Sequence, residues 1–337
     1  MRLGLVGGGL IAQLAHLPVL HALRDHFTVA ALADPSQAVR TALGERYRIG
    51  RRHASHVELL RVGEIDAVLV SSPNATHAGV TLAALAAGVH VLVEKPLCLV
   101  PEDAYAIVSA ARTAGRVVQV GYMKRHDAAW RGFCDELATA PPPRRIETTT
   151  IDHGLGRRFR PPDFVAGDDI PEEVAEDAAL AEAEQVRRAL GAADVAAHVR
   201  TYSDAFLGAL IHDVNLVMAL VSSRGATPPR PVGAAWEPGG ALASASFVLS
   251  SRGRWEAAWL FAPTAAAFSE SLRVYGDDGC RCLSVDAPYA DVHGTYTAQL
   301  LHFHACVTAG APCLTPAAQG AVDVALLAGA YRSAMAA

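Results

Sequence analysis

The stretch Arg2-Leu3-Gly4-Leu5-Val6-Gly7-Gly8-Gly9-Leu10-Ile11-Ala12, RLGLVGGGLIA, decides the fold. A short apolar run meets three glycines and passes into residues with helical spacing, so it reads as strand, tight turn and helix. Gly7, Gly9 and Ala12 match the pattern G-x-G-x-x-A. There the first glycine permits the turn and the second lets backbone approach a pyrophosphate. The small third residue lets the helix pack on the strand, with the phosphates at the helix N-terminus. Asp34 closes the next strand-like run, in ALADPS, about twenty residues on, where a carboxylate accepts the ribose hydroxyls and repels a 2′-phosphate. Pro35-Ser36-Gln37 supplies no arginine, and Arg40 lies only about one helical turn farther on. NAD is therefore favoured over NADP. The glycine pattern alone also fits a glycine-rich turn in an unrelated α/β domain.

Outward from that turn, strand-like and helix-like segments alternate through FTVAAL, AVLVSS, THAGVTLAALAAG, HVLVE, PEDAYAIVSAARTAG and VVQVGY. Alternation of this kind predicts a doubly wound parallel sheet with helices on both faces, and its strands are continuous apolar runs because both faces are buried. The chain has 337 residues, enough for about two domains at roughly 150 residues each. The expected division is a dinucleotide-binding domain over residues 1–123 and a substrate-binding, oligomerising domain over 124–337.

A net charge of −5 and the absence of a long basic run argue against nucleic acid as a partner. The six cysteines have no disulfide-framework spacing and fit a reduced cytoplasm. Cys280 and Cys282 are one residue too close for a zinc or redox pair and read as one side of a strand. Arg2 and the apolar residues after it resemble a signal sequence, but the glycines, Gln13 and His16 interrupt it, so the segment reads as folded structure. No apolar run is expected to reach the roughly 18 to 20 residues that span a bilayer, so the reading is a soluble protein with no membrane partner.

Three segments together, GGGLIA, SSPNATHAGVTLAALAAGVHVLVEKPL and VVQVGYMKRHDAAW, resemble the N-terminal domain of the Gfo/Idh/MocA oxidoreductases, the family of glucose-fructose oxidoreductase and inositol dehydrogenase. The resemblance is close over roughly the first 130 residues and loose beyond. In open α/β sheets ligands bind beyond the carboxyl ends of the strands, so Glu94 and Lys95, which close the fifth strand, point into the crevice. The resemblance implies a cis peptide between Lys95 and Pro96. It also places Lys95 near the nicotinamide, where its amine bonds the reacting hydroxyl or carbonyl and assists proton transfer. Pro73, Asn74 and His77 follow the fourth strand and face the same cofactor, although His77 fits equally well as the start of a helix. The resemblance sets Leu10, Ile11, Ser72, Asn74, His77, Glu94 and Pro96 beside the dinucleotide, and Tyr122, Lys124 and Arg125 beside the substrate.

Beyond the PPPRR turn, strand-like runs recur at IETTTIDHG, ASASFVLSS, RWEAAWLFA, SLRVYG and CRCLSVDA. The resemblance makes these a large, mostly antiparallel sheet of an α+β domain that receives substrate and assembles into a homo-oligomer. Trp255, Ala257 and Trp259 alternate on one side of a strand, an arrangement expected to form an apolar outer interface. DDIPEEVAEDAALAEAEQVRRALG reads as a solvated helix with acids at its start and Arg187 and Arg188 at its end.

In SDAFLGALIHDVNLVMALVSS, helical spacing puts Phe206, Leu207, Leu210, Ile211, Val214, Val217 and Met218 on an apolar stripe, with His212 among small residues on the other side. The family pattern has an acid four residues before this histidine, and the two handle the substrate proton. Here that position is Gly208. His212 keeps the chemistry of a general acid/base, and without a partner it is expected to titrate like a free imidazole. His302, His304 and Cys306 are spread around a helix, so no metal site is expected. Arg157, Arg158 and Arg160 read as an exposed basic loop, with phosphate binding as the alternative.

The leading reading is an NAD-dependent oxidoreductase that transfers a hydride between the nicotinamide and a secondary alcohol or ketone of a sugar, sugar derivative or cyclitol. Lys95 and His212 are the candidate catalytic residues. An imine reductase on the same scaffold, or a dinucleotide-dependent binding protein without turnover, stays open.

Overall fold

The computed structural model describes residues 1–154, 160–223, 227–249, 253–285 and 292–336. Its first sheet consists of β1 (Arg2–Val6), β2 (Thr28–Ala33), β3 (Arg51–His53), β4 (Ala67–Val70), β5 (His90–Glu94) and β6 (Val118–Gly121). The strand order is β3-β2-β1-β4-β5-β6, and every pairing is parallel. All four residues of β4 are fully buried, as its unbroken apolar run requires. Strand β3 is short, polar and at the edge, so no apolar run announces it.

A π-helical turn, Ala12–His16, leads into α1 (Leu17–Ala22), and α2 (Gln37–Arg46), α3 (His56–Val62), α4 (His77–Ala86) and α5 (Pro101–Ala114) make the other crossovers. The Ser36 hydroxyl caps α2 by accepting the Val39 N–H. Helix α5 starts on Pro101 and stops at Gly115, which takes φ +61°. The order of strands reverses between β1 and β4, so the loops after these two strands diverge and leave a crevice.

After α6 (Ala128–Ala138) come β7 (Arg145–Asp152) and α7 (Glu172–Leu190). A π-helical segment, Thr201–Leu210, then continues into α8 (Ile211–Ser223). The second sheet adds β8 (Arg230–Trp236), β9 (Leu242–Val248), β10 (Arg254–Phe261), β11 (Ser269–Gly276) and β12 (Gly279–Val285), in the order β12-β11-β7-β10-β9-β8. Only β7 and β10 pair in parallel; the others are antiparallel. The chain ends in α9 (Val292–Ala309) and α10 (Ala317–Met335), which return to the first sheet. Tyr296, Leu300 and Phe303 of α9 share a core with Leu3, Leu5 and Leu20. Thr315 exchanges hydrogen bonds with Val120 and so covers the β6 edge.

Two expectations are corrected here. Trp255, Ala257 and Trp259 do share one side of β10, but that side faces inward. Trp255 is fully buried and stacks on Phe247 with ring centres 4.2 Å apart, because the helices at Thr201–Ser223 and α10 cover this face. The helix Thr201–Ser223 is itself long and apolar enough to cross a membrane, against the expectation that no segment would be. However, 78% of its most apolar window is buried inside the protein, as befits a core helix.

Candidate active site

The glycine turn is built as its sequence requires. Gly7 adopts φ +92°, and a Cβ there would lie 2.5 Å from the Ser72 nitrogen, so no other residue fits. The Gly8 N–H donates to Asp34 Oδ2 at 2.8 Å and the Ser36 N–H to Oδ1 at 2.9 Å. Burial nonetheless holds the Asp34 carboxyl above its ordinary value. Above Gly9 nothing lies within 4 Å of where a Cβ would stand. That opening at a helix N-terminus fits a pyrophosphate.

Two cavities meet at this turn and share Gly9, Ser71, Ser72 and Pro73. The first, of about 650 Å³, runs past Gly7, Gly8 and Asp34. The second, of about 520 Å³, contains Leu10, Ile11, Asn74, His77, Glu94, Lys95, Lys124 and His212. Adjoining at these four residues, they line the crevice from the β2 acid to the end of β5.

The Lys95–Pro96 peptide is cis. The Lys95 ammonium donates to the Gly208 carbonyl at 2.6 Å. Burial lowers its pKa, and the Glu94 charge opposes that shift in part. Glu94 itself is buried and lies 2.7 Å from His16 Nε2. Burial works against its charge, but His16 and Lys95 outweigh that and hold the carboxyl below its usual range. The acid beside the lysine therefore serves as a buried anchor to the first helix.

His212 opens α8 with its imidazole toward the cleft, and its Nδ1 is buried without a hydrogen-bond partner. Burial, followed by the charges of Lys95 and Lys124, pushes its pKa well below that of a free imidazole. The expectation of ordinary titration is thus overturned: the ring is neutral chiefly because it is buried, and the Lys95 and Lys124 charges add to that. Lys124 pairs with Glu270 at 2.5 Å. Behind them the Thr150 hydroxyl donates to Asp213 at 3.3 Å, and burial together with Glu270 raises the Asp213 carboxyl. Asp204 is exposed and pairs loosely with Arg200.

Other sequence expectations fall outside the cleft. Tyr122 and Arg125 are turned toward α10, where Tyr122 sits beside Asp323 and Arg125 donates to Gln319 at 3.2 Å. Between them Met123 and Lys124 face the cleft, because Met123–His126 is a 3₁₀ turn in which residues three apart, such as Tyr122 and Arg125, share a side. Pro96 lines neither cavity. Its carbonyl lies 2.7 Å from His77 Nδ1, while the Ser72 carbonyl lies 2.8 Å from Nε2. A neutral His77 donates to one of these carbonyls at a time, tying the β4 turn to the β5 turn. Asn74 lines the cleft and donates to the Ser203 carbonyl at 3.4 Å. Arg157 and Arg158 lie outside the described residues, and Arg160 sits over the Phe164 ring. His302 bonds Cys306 and the Leu314 N–H, and no cluster of three or more metal-ligating side chains occurs among the described residues.

Residues 1–122 match the model of the oxidoreductase family with an NAD-binding Rossmann fold, GFO_IDH_MocA. Over this segment the chain is similar to the Gfo/Idh/MocA oxidoreductases. The 1,5-anhydro-D-fructose reductase of Ensifer adhaerens is 37% identical over 137 residues, 41% of this chain and 40% of that protein. Inositol 2-dehydrogenase 3 of Saccharopolyspora erythraea is 37% identical over 136 residues, 39% of this chain and 38% of that protein. The chain thus spans about two fifths of the length of the curated relatives it matches. Over the whole fold, the scyllo-inositol dehydrogenase of Lactobacillus casei, solved with NAD(H) and scyllo-inositol, superposes with a TM-score of 0.76. The superposition covers 100% of this chain and 97% of that one at 15% identity, a likeness of fold.

The family motifs account for the floor of the cleft, and its other walls went unnoticed in sequence. Glu270 had a usable signal: it shares a strand face with Leu272 and Val274, an acid where an apolar residue is expected. Phe268 and Tyr296 carried none, since single aromatics in apolar segments read as core, and the alternation that includes Trp259 points to an outer interface instead of a cleft wall.

Proposed function

We propose that this chain is an NAD-dependent oxidoreductase acting on a secondary alcohol or ketone carbon of a sugar, sugar derivative or cyclitol. The observation that carries the reading is that the Lys95 ammonium and the His212 ring face one cleft, which is continuous with the open space above Gly9. The nicotinamide supplies the hydride acceptor or donor when bound. Gly7, Gly9, Leu10 and Ile11 cradle the dinucleotide, Asp34 takes the ribose hydroxyls, and Ser72, Pro73, Asn74 and His77 shape the wall between the two cavities. Lys95 holds the substrate oxygen and its proton. Its lowered pKa favours giving that proton up. His212 is neutral and able to accept a proton, while Lys124 is a second cation for substrate hydroxyls. Glu94 positions Lys95 through its bond to His16 and its own place in the chain.

The cleft lies between residues 1–123, which carry the cofactor, and residues 124–337, which carry most of the substrate wall. The outward face of the second sheet, with Thr149, Ser244, Ser246, Ala258 and the exposed Leu260, suits a second copy of the chain better than the buried tryptophan face does. Six free thiols agree with a reducing compartment, the cytoplasm.

One specific observation favours a second reading, a dinucleotide-binding protein without turnover: a backbone carbonyl meets Lys95 where the family has an acid four residues before the histidine. A screen of sugars, nucleotide sugars and cyclitols for absorbance change at the nicotinamide band separates the two. Turnover that disappears in Lys95→Ala supports the enzyme. Tight NADH binding with no turnover on any of these classes supports the binding protein.

A further inference from the structure

Residues 160–170, between β7 and α7, do not stay with the second sheet. This segment crosses the 650 Å³ cavity opposite the glycine turn, and Phe164, Val165, Gly167 and Ile170 form that wall. Side chains of the first domain hold it in place. Gln13 donates to the Val165 carbonyl at 2.9 Å and accepts the Val165 N–H at 2.9 Å. Arg46 pairs with Asp163 at 3.0 Å.

At the end of this segment stands Asp169. One of its oxygens accepts the Ala38 N–H at 2.9 Å, and the other accepts the Ser36 hydroxyl. Both donors belong to the start of α2, two to four residues beyond Asp34. Amide and hydroxyl donors converging at a helix N-terminus form an anion cradle. This cradle adjoins the carboxylate that would take the ribose, so it is where a phosphate on the ribose 2′ oxygen would be drawn. The Arg40 guanidinium lies at the same edge, donating to the Asp34 and Pro35 carbonyls, and would otherwise favour that phosphate. The Ser36 hydroxyl and the Ala38 amide hold the Asp169 carboxyl below its usual range, so it is charged at neutral pH.

We infer that Asp169, supplied from beyond the Rossmann domain, is a cofactor-specificity residue: its carboxylate fills the α2 anion cradle and excludes the 2′-phosphate of NADP. The inference rests on the dinucleotide reading above. It adds a second determinant to Asp34, one that removes the residual attraction of Ser36, Ala38 and Arg40 for phosphate.

The test is calorimetric measurement of the NADPH and NADH dissociation constants for the wild type, Asp169→Asn, Asp169→Ala and the retained-charge control Asp169→Glu. The expected result is that the NADPH-to-NADH ratio of Kd falls at least about tenfold in the Asn and Ala variants, as removal of a close like charge implies, and stays within about threefold of wild type in Asp169→Glu. If the carboxylate merely held the crossing segment in place, both dinucleotides would loosen together. An unchanged ratio in Asp169→Asn and Asp169→Ala therefore overturns the inference while leaving the NAD reading intact. A wild type that binds neither dinucleotide overturns both.

Discussion

The Lys95 ammonium lies 2.6 Å from the carbonyl oxygen of Gly208. The π-helical winding of Thr201–Leu210, with the Ile211 N–H bonded back to Phe206, accompanies this presentation of a backbone carbonyl to the cleft. Such wide turns are frequent at functional sites. Burial lowers the Lys95 pKa and Glu94 offsets that only in part, while a carbonyl dipole supports an ammonium less strongly than a carboxylate does, so the lysine is the leading candidate for proton handling. Lys95→Ala should therefore reduce kcat by at least about a hundredfold while leaving the NADH Kd within about threefold. Near-normal turnover in that variant would remove Lys95 from the mechanism.

Gly208→Asp tests the same contact from the other side. A Cβ at 208 would stand 3.2 Å from the Ser203 carbonyl, a tight fit that a small backbone shift relieves, so the variant should fold. A carboxylate there stabilises the charged forms of Lys95 and His212, and the pKa values governing kcat/KM should move upward by about one unit. A pH–rate profile identical to wild type would contradict this.

His212 is held neutral by burial and by Lys95 and Lys124, so it does not gain a proton as pH falls through the ordinary imidazole range. As far as His212 governs the rate, kcat/KM should stay level between about pH 7.5 and 6, where a free imidazole would lose its basic form. His212→Asn should lower kcat, but by less than Lys95→Ala does. A loss equal to that of Lys95→Ala at unchanged cofactor affinity would reverse the ranking.

Gly7 and Gly9 separate folding from binding. Gly7→Ala forces a side chain into φ +92° and against the Ser72 backbone, and should destabilise the protein by about 1 to 3 kcal/mol. Gly9→Ala meets no protein atom within 4 Å, so urea unfolding should be close to wild type while NADH binding weakens. Unimpaired NADH binding in Gly9→Ala would mean that the space above this residue is not where the pyrophosphate lies.

Asp323 of α10 is fully buried, accepts a 2.7 Å hydrogen bond from Asn215 and, chiefly through burial, has a carboxyl pushed up to about 7. A folded-state pKa above the unfolded value means that the folded protein holds a proton the unfolded chain releases. Stability from this group is thus full below about 4 and is lost as pH rises toward 7. Asp323→Asn removes that loss. The stability of the variant relative to wild type should rise by about 1.4 kcal/mol per pH unit between about pH 5 and 7 and then level off. Urea melts showing a constant difference across that range would refute the assignment.

The exposed face of the second sheet should pair with another copy of the chain. Light scattering at micromolar concentration is expected to give a mass above 35.3 kDa, and Leu260→Glu on that face should shift it toward monomer. A monomer throughout would set this face aside.

How much of this was legible in sequence follows from the range of the forces involved. The glycine turn, Asp34, Lys95 and the parallel sheet were readable because each depends on local requirements: a positive φ at Gly7, alternating segment types, and residues placed where strands end. The side of its helix that His212 occupies was readable from the spacing of the apolar residues around it. Tertiary structure decided the rest. Whether the Trp255 side of β10 faced in or out depended on which helices came to cover it. The neutrality of His212 depended on its burial in the folded chain and, less, on the Lys95 and Lys124 charges brought to it from distant turns, and the expulsion of Tyr122 and Arg125 on the return of α10. Asp169 reaches Ser36 across 133 residues of chain, by a contact that no periodicity records. Local sequence specifies backbone conformation and the pattern of burial, while charge, shielding and access at a site are sums over groups that meet only when the chain has folded.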